Sequence, residues 1–289
     1  MDFHDIRAAF GANDDKRDAG LSTPPDVVRD DGICYGPHGR WNLLDVYRPR
    51  GAEHALLPCI VSVHGGGWVY GDKDRYQYYC MDLSRRGFAV VNFSYRLAPE
   101  HPFPAAVEDV NAAFAWVAEH GPAHGIDTGR VFAVGDSAGG QLAAQYAAML
   151  TDPAFGAMYD LVLPPLAIRA LALHCGHYRF DASEEGLDQA VMRAYFGGDA
   201  RRKLPLVDTL AHITPAFPPT LVMTAQYDFL REQAPLLLRA LEEKGVPCRY
   251  RLYGRPGQEH IGHVFHLDIR SPEARACNDE QCDFFRAYM

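Results

Sequence analysis

A five-residue turn between an apolar strand and a small-residue helix constrains this chain more than any other feature. The turn reads Gly135-Asp136-Ser137-Ala138-Gly139, with apolar residues at 131–134 before it and a helix-forming run at 141–150 after it. Glycine at each end lets the strand and the helix approach more closely than a Cβ atom would permit. A serine held there lies at a helix N-terminus, where backbone N–H groups favour developing negative charge. The pattern predicts that Ser137 is a nucleophile; the alternative is a tight turn that requires only a small residue.

Composition narrows the class of protein. The 289 residues are 48% hydrophobic and 22% charged, as in ordinary globular proteins, and the net charge of −9 disfavours binding to a nucleic-acid backbone. No apolar stretch approaches the roughly 20 residues of a membrane span, and the acidic N-terminal segment lacks the apolar core of a secretory signal. Seven cysteines without a C-x-x-C pair indicate reduced thiols. We therefore expect a cytoplasmic protein with neither nucleic-acid nor membrane partners.

Strand-like and helix-like segments alternate along the chain, which predicts an α/β fold with a mostly parallel central sheet and helices on both faces. Two short runs on either side of 37–39 predict a hairpin near the start. The other strand-like runs lie at 56–64, 88–95, 131–135, 167–175, 220–225 and, as an edge strand, 248–253. The helix-like segments lie at 76–86, 105–120, 141–150, 231–244 and 272–288. We expect one domain, 1–289, with a small cap formed by about 1–30 and by the long insert at about 176–219.

A second glycine motif, His64-Gly65-Gly66-Gly67-Trp68, closes the first of these strand-like runs. Consecutive glycines let backbone N–H groups point into one concavity, and the tetrahedral intermediate of acyl transfer needs two or three such donors. A phosphate-binding loop is disfavoured because no Gly-Lys-Ser/Thr follows. Trp68 and Tyr70 belong to or follow this loop, and Asp136 stands beside the serine. All three are predicted to line a substrate pocket, with core packing as the alternative for the aromatic pair and a bracing role for Asp136.

An acyl-transfer serine needs a base and an orienting acid, in the chain order serine, acid, histidine. Asp228 ends an apolar strand, and ligands bind at the carboxyl edge of a parallel sheet. Three histidines follow, His260, His263 and His266. If one of them is the base, the other two are ordinary surface or core residues. A metal site built from all three is the rival interpretation, which is disfavoured because no H-E-x-x-H pattern occurs.

Together these motifs give the chain a specific resemblance to a known family. The two glycine motifs, the Tyr-Arg-Leu-Ala-Pro-Glu segment at 95–100, Asp228 and the His-Val-Phe segment at 263–265 follow one another along the chain. In this order they resemble the hormone-sensitive-lipase-like branch of the α/β-hydrolases (α/β-hydrolase fold-3), close to bacterial acetyl esterases and carboxylesterases. The resemblance covers roughly residues 31–289. It implies the α/β-hydrolase fold.

The resemblance also implies roles for individual residues. Ser137 is expected to be the nucleophile, His263 the base and Asp228 the orienting acid, with Glu232 as the second choice for the acid. The oxyanion is expected to be held by the backbone N–H groups of Gly65, Gly66 and Ala138, with Gly67 as a substitute. The family often has proline after the acid, where this chain has Phe229. That difference affects the local loop and leaves the three expected catalytic residues in place.

The activity implied by this resemblance is hydrolysis of small-molecule carboxylic esters with short acyl chains, acetyl above all. It would proceed through an acyl-serine intermediate without a metal or organic cofactor. A homodimer is one expected state of assembly. Two alternatives stay open: an amidase or peptidase with the same three residues, since the fold does not set the leaving group, and a non-catalytic ligand-binding homologue. The presence of His263 disfavours the second, because such homologues normally lack this histidine.

Overall fold

A computed structural model describes residues 3–52, 55–187 and 189–289. Eight strands form one sheet in the order β1-β2-β4-β3-β5-β6-β7-β8. Strand β2 runs antiparallel to both β1 and β4, and the remaining neighbours are parallel. The strands are β1 (Val27–Cys34), β2 (Leu43–Pro49), β3 (Leu57–Val63), β4 (Ala89–Phe93), β5 (Ile126–Asp136), β6 (Ile168–His174), β7 (Thr220–Ala225) and β8 (Cys248–Tyr253). The expected mostly parallel sheet is confirmed.

Helices connect most of the strands, and side chains cap the starts of several of these helices. Asp72 accepts the N–H of Arg75 at 3.0 Å, and Ser271 accepts the N–H of Ala274 at 3.0 Å, so each satisfies a backbone donor at a helix start. The helices are α1 (Phe3–Asp18), α2 (Lys73–Ser84), α3 (Ala105–His120), α4 (Ala138–Thr151), α5 (Pro153–Gly156), α6 (Glu184–Leu187), α7 (Ala190–Phe196), α8 (Ala200–Val207), α9 (Ala234–Glu243) and α10 (Pro272–Arg286). None of the helices in the described ranges is long and apolar enough to cross a bilayer.

The core lies on both faces of the sheet because successive strand residues point in opposite directions. On β5, Val131 and Ala133 belong to the core on the side of α3, α4 and α9. Phe132 and Val134 belong to the core on the side of α2 and α10. All four are essentially unexposed. A strand buried on both faces appears in the sequence as a continuous apolar run, which is why these strands were predictable.

The hairpin is confirmed with shifted boundaries, and the edge strand is confirmed at the residues predicted for it. Strands β1 and β2 pair antiparallel on either side of a short 3₁₀ helix at Gly39–Asn42, and β8 closes the other edge of the sheet. Helix α1 was not predicted. None of its residues is fully buried, and Phe3 and Ile6 are partly buried, so the apolar signal in its sequence is weak.

Polar contacts with the rest of the protein hold α1 in place. Arg7 donates to the backbone carbonyls of Val69 and Ala98 at 2.7 and 2.9 Å and pairs with Glu100 at 2.6 Å. Helix α1 also packs against α7, which lies in the insert after β6. The two segments that the sequence assigns to a cap thus meet on the same side of the protein.

Candidate active site

The turn after β5 places Ser137 at the first turn of α4 with a strained backbone. Its φ and ψ are 52° and −119°, values that side-chain-bearing residues adopt only where surrounding contacts impose them. Its N–H donates to the carbonyl of His174 at 3.0 Å. A Cβ atom on Gly135 would lie 2.4 Å from the carbonyl oxygen of Gly139, and one on Gly139 would lie 2.1 Å from that of Val63. Both glycines are therefore required by close backbone packing.

Ser137, His263 and Asp228 form one hydrogen-bonded line. The Nε2 atom of His263 lies 3.0 Å from the Oγ atom of Ser137, and its Nδ1 atom lies 2.6 Å from the Oδ1 atom of Asp228. The imidazole is partly exposed and the carboxylate is fully buried. A neutral imidazole that donates from Nδ1 to this carboxylate presents an unprotonated Nε2 to the serine hydroxyl, as a general base must.

The other two histidines of this segment point elsewhere. His260 is exposed, with its Nε2 atom 3.8 Å from Glu273. His266 is completely buried and stacks on His174, with 4.0 Å between ring centroids. The three imidazoles occupy three different environments, so the rival metal site built from His260, His263 and His266 does not form.

Asp228 is held as a carboxylate from several sides. Burial alone would raise its pKa, but the hydrogen bond and charge of His263, joined by the Thr224 hydroxyl and the Leu230 N–H, hold the pKa below its ordinary value. Thr224 donates to Oδ2 at 2.7 Å, and Leu230 donates to Oδ1 at 2.9 Å. The second choice for the acid, Glu232, lies on the surface beside Arg231 with its side chain 82% exposed. The geometry thus favours Asp228 over Glu232.

The loop after β3 requires one correction to the expected set of oxyanion donors. The N–H of Gly65 donates to the hydroxyl of Tyr76 at 2.8 Å, so this donor is already engaged in a hydrogen bond. By contrast, the N–H groups of Gly66, Gly67 and Ala138 have no acceptor among the described residues. These three groups all border the cavity that contains Ser137. Gly67, the expected substitute, is therefore a better candidate donor than Gly65.

Gly66 cannot be replaced without moving this loop. Its φ is +115°, a value that favours glycine, and a Cβ atom on it would lie 2.1 Å from the carbonyl oxygen of Tyr70. That carbonyl belongs to the segment that turns back toward α2. The chain therefore folds onto the glycine loop with no space for a side chain at this position.

Asp136 is a buried brace beside the nucleophile. Its Oδ2 atom accepts the hydroxyl of Tyr76 at 2.7 Å, and its side chain is almost completely enclosed. Burial is the largest influence on this carboxyl and raises its pKa to about 7, against the opposing hydrogen bond from Tyr76. The same side chain borders the cavity, as the sequence predicted, but its hydrogen bond to Tyr76 makes it part of the framework.

Replacing Asp136 with asparagine is expected to raise thermal stability relative to the wild type, and more so at high pH. The folded-state pKa of about 7 lies above the ordinary value of 3.8 for this carboxyl, so the folded protein binds this proton more tightly than the unfolded chain does. Wild-type stability therefore declines as the pH rises between these values, whereas asparagine has no such dependence. Thermal unfolding of both proteins at about pH 5 and about pH 8 measures the effect. A stability difference that is equal at the two pH values would contradict it.

A cavity of about 800 Å³ opens in front of the serine and has a largely apolar lining. Helix α1 contributes Ile6 and Phe10, and α7 contributes Val191 and Met192. Both predicted aromatic residues, Trp68 and Tyr70, border it. Trp68 is also packed into the core, where it stacks on Tyr195 with 4.4 Å between centroids. The two interpretations of Trp68, pocket and core, therefore both describe it.

Sequence reasoning missed three side chains at this site, Tyr76, Thr224 and Cys175. Thr224 is four residues before Asp228, a spacing that places its hydroxyl beside the carboxylate once the strand ends. Cys175 lies with Asp228 and His263 in a group whose potential ligand atoms are within 4.8 Å of one another. Burial, followed by the charge of Asp228, raises the pKa of the Cys175 thiol well above its ordinary value. The thiol lies beside the Asp228 carboxylate and belongs to the buried surroundings of that group.

Comparisons with known proteins agree with this geometry. The sequence profile of a family described as "alpha/beta hydrolase fold" matches residues 60–267. Esterase LipI of Mycobacterium tuberculosis is 34% identical over 230 residues, which is 73% of this chain and 68% of LipI. An ethyl acetate hydrolase of Pseudomonas putida is 29% identical over 254 residues, which is 84% of this chain and 77% of that protein.

Among solved structures, esterase B from Lactobacillus rhamnosis inhibited by a tributyrin phosphonate superposes with a TM-score of 0.90 at 25% sequence identity. The superposition covers 99% of this chain and 94% of the other. The sheet order, the match to the family profile and the similarity to named esterases all indicate the same family. The chain belongs to the α/β-hydrolase fold-3 family, the hormone-sensitive-lipase-like branch of the carboxylic ester hydrolases.

Proposed function

We propose that this carboxylesterase cleaves esters with short acyl chains through an acyl-Ser137 intermediate. One observation carries the proposal: Ser137, His263 and Asp228 form a continuous hydrogen-bonded line at the head of a cavity. A strained, partly exposed serine next to an oriented imidazole is the arrangement that nucleophilic catalysis requires. The acyl-chain length and the role of each residue are part of the proposal.

The reaction follows from the direction of each hydrogen bond. The Oγ atom of Ser137 attacks the ester carbonyl while Nε2 of His263 accepts its proton. Asp228 keeps the other proton on Nδ1 and stabilises the imidazolium that forms. The negative oxygen of the tetrahedral intermediate accepts hydrogen bonds from backbone N–H groups. We assign these donors to Gly66, Gly67 and Ala138. Loss of one such donor typically slows a reaction of this kind by about 10²–10³.

Collapse of the intermediate breaks the bond to the alcohol oxygen, which takes the proton from His263 and leaves. Water then enters, gives a proton to the same Nε2 atom and attacks the acyl-enzyme. A second tetrahedral intermediate forms at the same N–H groups and releases the carboxylic acid. His263 returns the proton to Ser137, so the enzyme is regenerated without any cofactor in the scheme.

We also propose that α1 and the insert containing α6 to α8 act as a cap over this cavity. The support is that apolar side chains from both segments, including Phe10 and Met192, form part of its wall. An apolar wall favours acyl and alcohol groups without charge. The relative named for ethyl acetate and the neighbour inhibited by a tributyrin phosphonate support short acyl groups on this chain too.

Location in the cytoplasm also remains a proposal. Its support is that all seven cysteines are free thiols, five of them buried, which suits a reducing compartment. The expected homodimer stays a prediction.

The function is tested with chromogenic esters that differ only in the acyl group: acetyl, butyryl and octanoyl. We expect kcat/KM to be highest for acetyl or butyryl and lowest for octanoyl. A phosphonate ester should inactivate the enzyme, and mass spectrometry should locate the adduct on the peptide that contains Ser137. Absence of hydrolysis with all three esters, or an adduct on another residue, would refute the proposal. A preference for octanoyl would refute the acyl-length assignment alone.

A further inference from the structure

Two buried tyrosine hydroxyls hold the same peptide group of the glycine loop. The carbonyl of His64 accepts the hydroxyl of Tyr95 at 2.8 Å. The N–H of Gly65, at the other end of that peptide group, donates to the hydroxyl of Tyr76 at 2.8 Å. Because a peptide group is planar, fixing its oxygen and its hydrogen fixes its rotation about the chain axis.

The two tyrosines come from different parts of the fold. Tyr76 lies on α2, and Tyr95 follows β4. Both side chains are buried, with exposures of 5% and 0%. The ring of Tyr95 also stacks on the imidazole of His64, with 3.9 Å between centroids and 8° between planes. The hydroxyls are thus presented by side chains that packing already immobilises.

Tyr76 also connects the glycine loop to the serine turn. Its hydroxyl oxygen accepts a hydrogen bond from the N–H of Gly65, and the same hydroxyl donates a hydrogen bond to Oδ2 of Asp136 at 2.7 Å. Asp136 immediately precedes Ser137. The space between the two loops is closed, since a Cβ atom on Gly65 would lie 2.5 Å from Oδ2 of Asp136 and 3.0 Å from the Tyr76 hydroxyl. One hydroxyl therefore sets the separation between the nucleophile and the loop.

The loop needs such an anchor because its next residues are glycines, which lose more backbone freedom on ordering than any other residue. The proposed oxyanion donors are the N–H groups of Gly66 and Gly67, one and two peptide units after the held one. The carbonyl groups of the next two peptides have contacts of their own: that of Gly65 lies 2.8 Å from Nδ1 of His64, and that of Gly66 accepts hydrogen bonds from the N–H groups of Val69 and Tyr70. The held peptide sets the orientation from which this series of contacts starts.

We propose that Tyr76 and Tyr95 are positioning residues, which clamp the His64–Gly65 peptide and so aim the N–H groups of Gly66 and Gly67 at the oxyanion. The inference rests on the proposed function, because it concerns the intermediate formed at Ser137. Neither hydroxyl reacts with substrate in this scheme. Their effect is confined to the geometry of the loop.

The test compares Tyr76→Phe and Tyr95→Phe with Tyr79→Phe. Tyr79 is a matched control, since it is equally buried on α2 and its hydroxyl accepts the side-chain amide of Gln281 at 3.0 Å, away from the glycine loop. We expect the first two variants to lose about tenfold to a hundredfold in kcat, with KM within about twofold, because misplaced donors weaken transition-state binding. Tyr79→Phe should keep kcat within about twofold.

The double variant Tyr76→Phe/Tyr95→Phe gives a sharper result. Either substitution alone frees the same peptide group, so the double loss in kcat should be smaller than the product of the single losses. The rate of inactivation by the phosphonate should fall in parallel with kcat, since its adduct places a negatively charged oxygen at the same N–H groups. Thermal unfolding of each variant verifies that all of them are folded.

Two outcomes would overturn the clamp: kcat values of Tyr76→Phe and Tyr95→Phe equal to that of Tyr79→Phe, or losses that multiply in the double variant. In either case the phosphonate adduct on Ser137 and the ester hydrolysis of the wild type would leave the proposed function intact. Failure of the wild type itself in both assays would instead refute the function and the clamp together.

Discussion

Replacing His263 with alanine is expected to reduce kcat by at least about three orders of magnitude. The imidazole is the group placed to take the proton of Ser137, and a serine hydroxyl without a base is a weak nucleophile. Ser137→Ala should leave a comparable residual rate, because the two side chains act as one unit and their losses do not add. The measurement is the hydrolysis of a chromogenic acetyl ester by each single variant and by the double variant.

His260→Ala is the matched control for that experiment. His260 is three residues away in the same segment, but its imidazole is exposed and its Nε2 atom lies 3.8 Å from Glu273. We expect this variant to keep kcat within about twofold. A large loss in His260→Ala together with an active His263→Ala would show that the base has been assigned to the wrong residue.

The second large effect is expected for Gly66→Ala. The new methyl group would lie 2.1 Å from the carbonyl oxygen of Tyr70, and the backbone would hold a φ of +115° that alanine resists. The loop must therefore shift, which displaces the proposed oxyanion donors of Gly66 and Gly67. We expect kcat to fall by about 10²–10³, the usual effect of losing one such donor, with a smaller change in KM.

Gly87→Ala separates this effect from simple backbone strain. Gly87 has a similar positive φ of +93°, but no atom lies within 4 Å of where its Cβ would stand. The alanine there should cost roughly 1–2 kcal/mol of stability through its conformation alone and leave kcat unchanged. If Gly66→Ala lowered stability like Gly87→Ala but kept wild-type kcat, the oxyanion assignment would be wrong.

Much of the architecture was predictable because the strands are buried on both faces. Runs such as residues 131–134 are continuously apolar, and the glycines at 135 and 139 mark a contact that no other residue permits. Because Asp228 comes just after an apolar strand, the sequence also predicted its place at the carboxyl edge of the sheet. The choice of His263 over His260 and His266 came from family resemblance, since spacing alone treats the three histidines alike.

Other features had no local signal. Three consecutive glycines look equivalent in the sequence, and the group that distinguishes Gly65 is the hydroxyl of Tyr76, which α2 brings back from the next segment. The sequence ranked the aspartate at 228 before the glutamate at 232, and the fold supplies the physical difference, since it buries the first and exposes the second. Helix α1 escaped prediction because its few apolar residues give a weak pattern and part of its attachment is through tertiary polar contacts.

Because α1 lies outside the buried core, substrate selectivity and the stability of the fold depend on different residues in this protein. The helix supplies Ile6 and Phe10 to the cavity wall, yet none of its residues belongs to the buried core. Its attachment combines ion pairs and hydrogen bonds, such as those of Arg7 with Glu100 and of Arg17 with the carbonyl of Arg75, with packing of Phe3 and Ile6 against a small apolar cluster outside the sheet. Substitutions on its inner face therefore alter which substrates fit without removing any packing from the sheet. Selectivity in this protein can evolve on one helix while the catalytic framework keeps its stability.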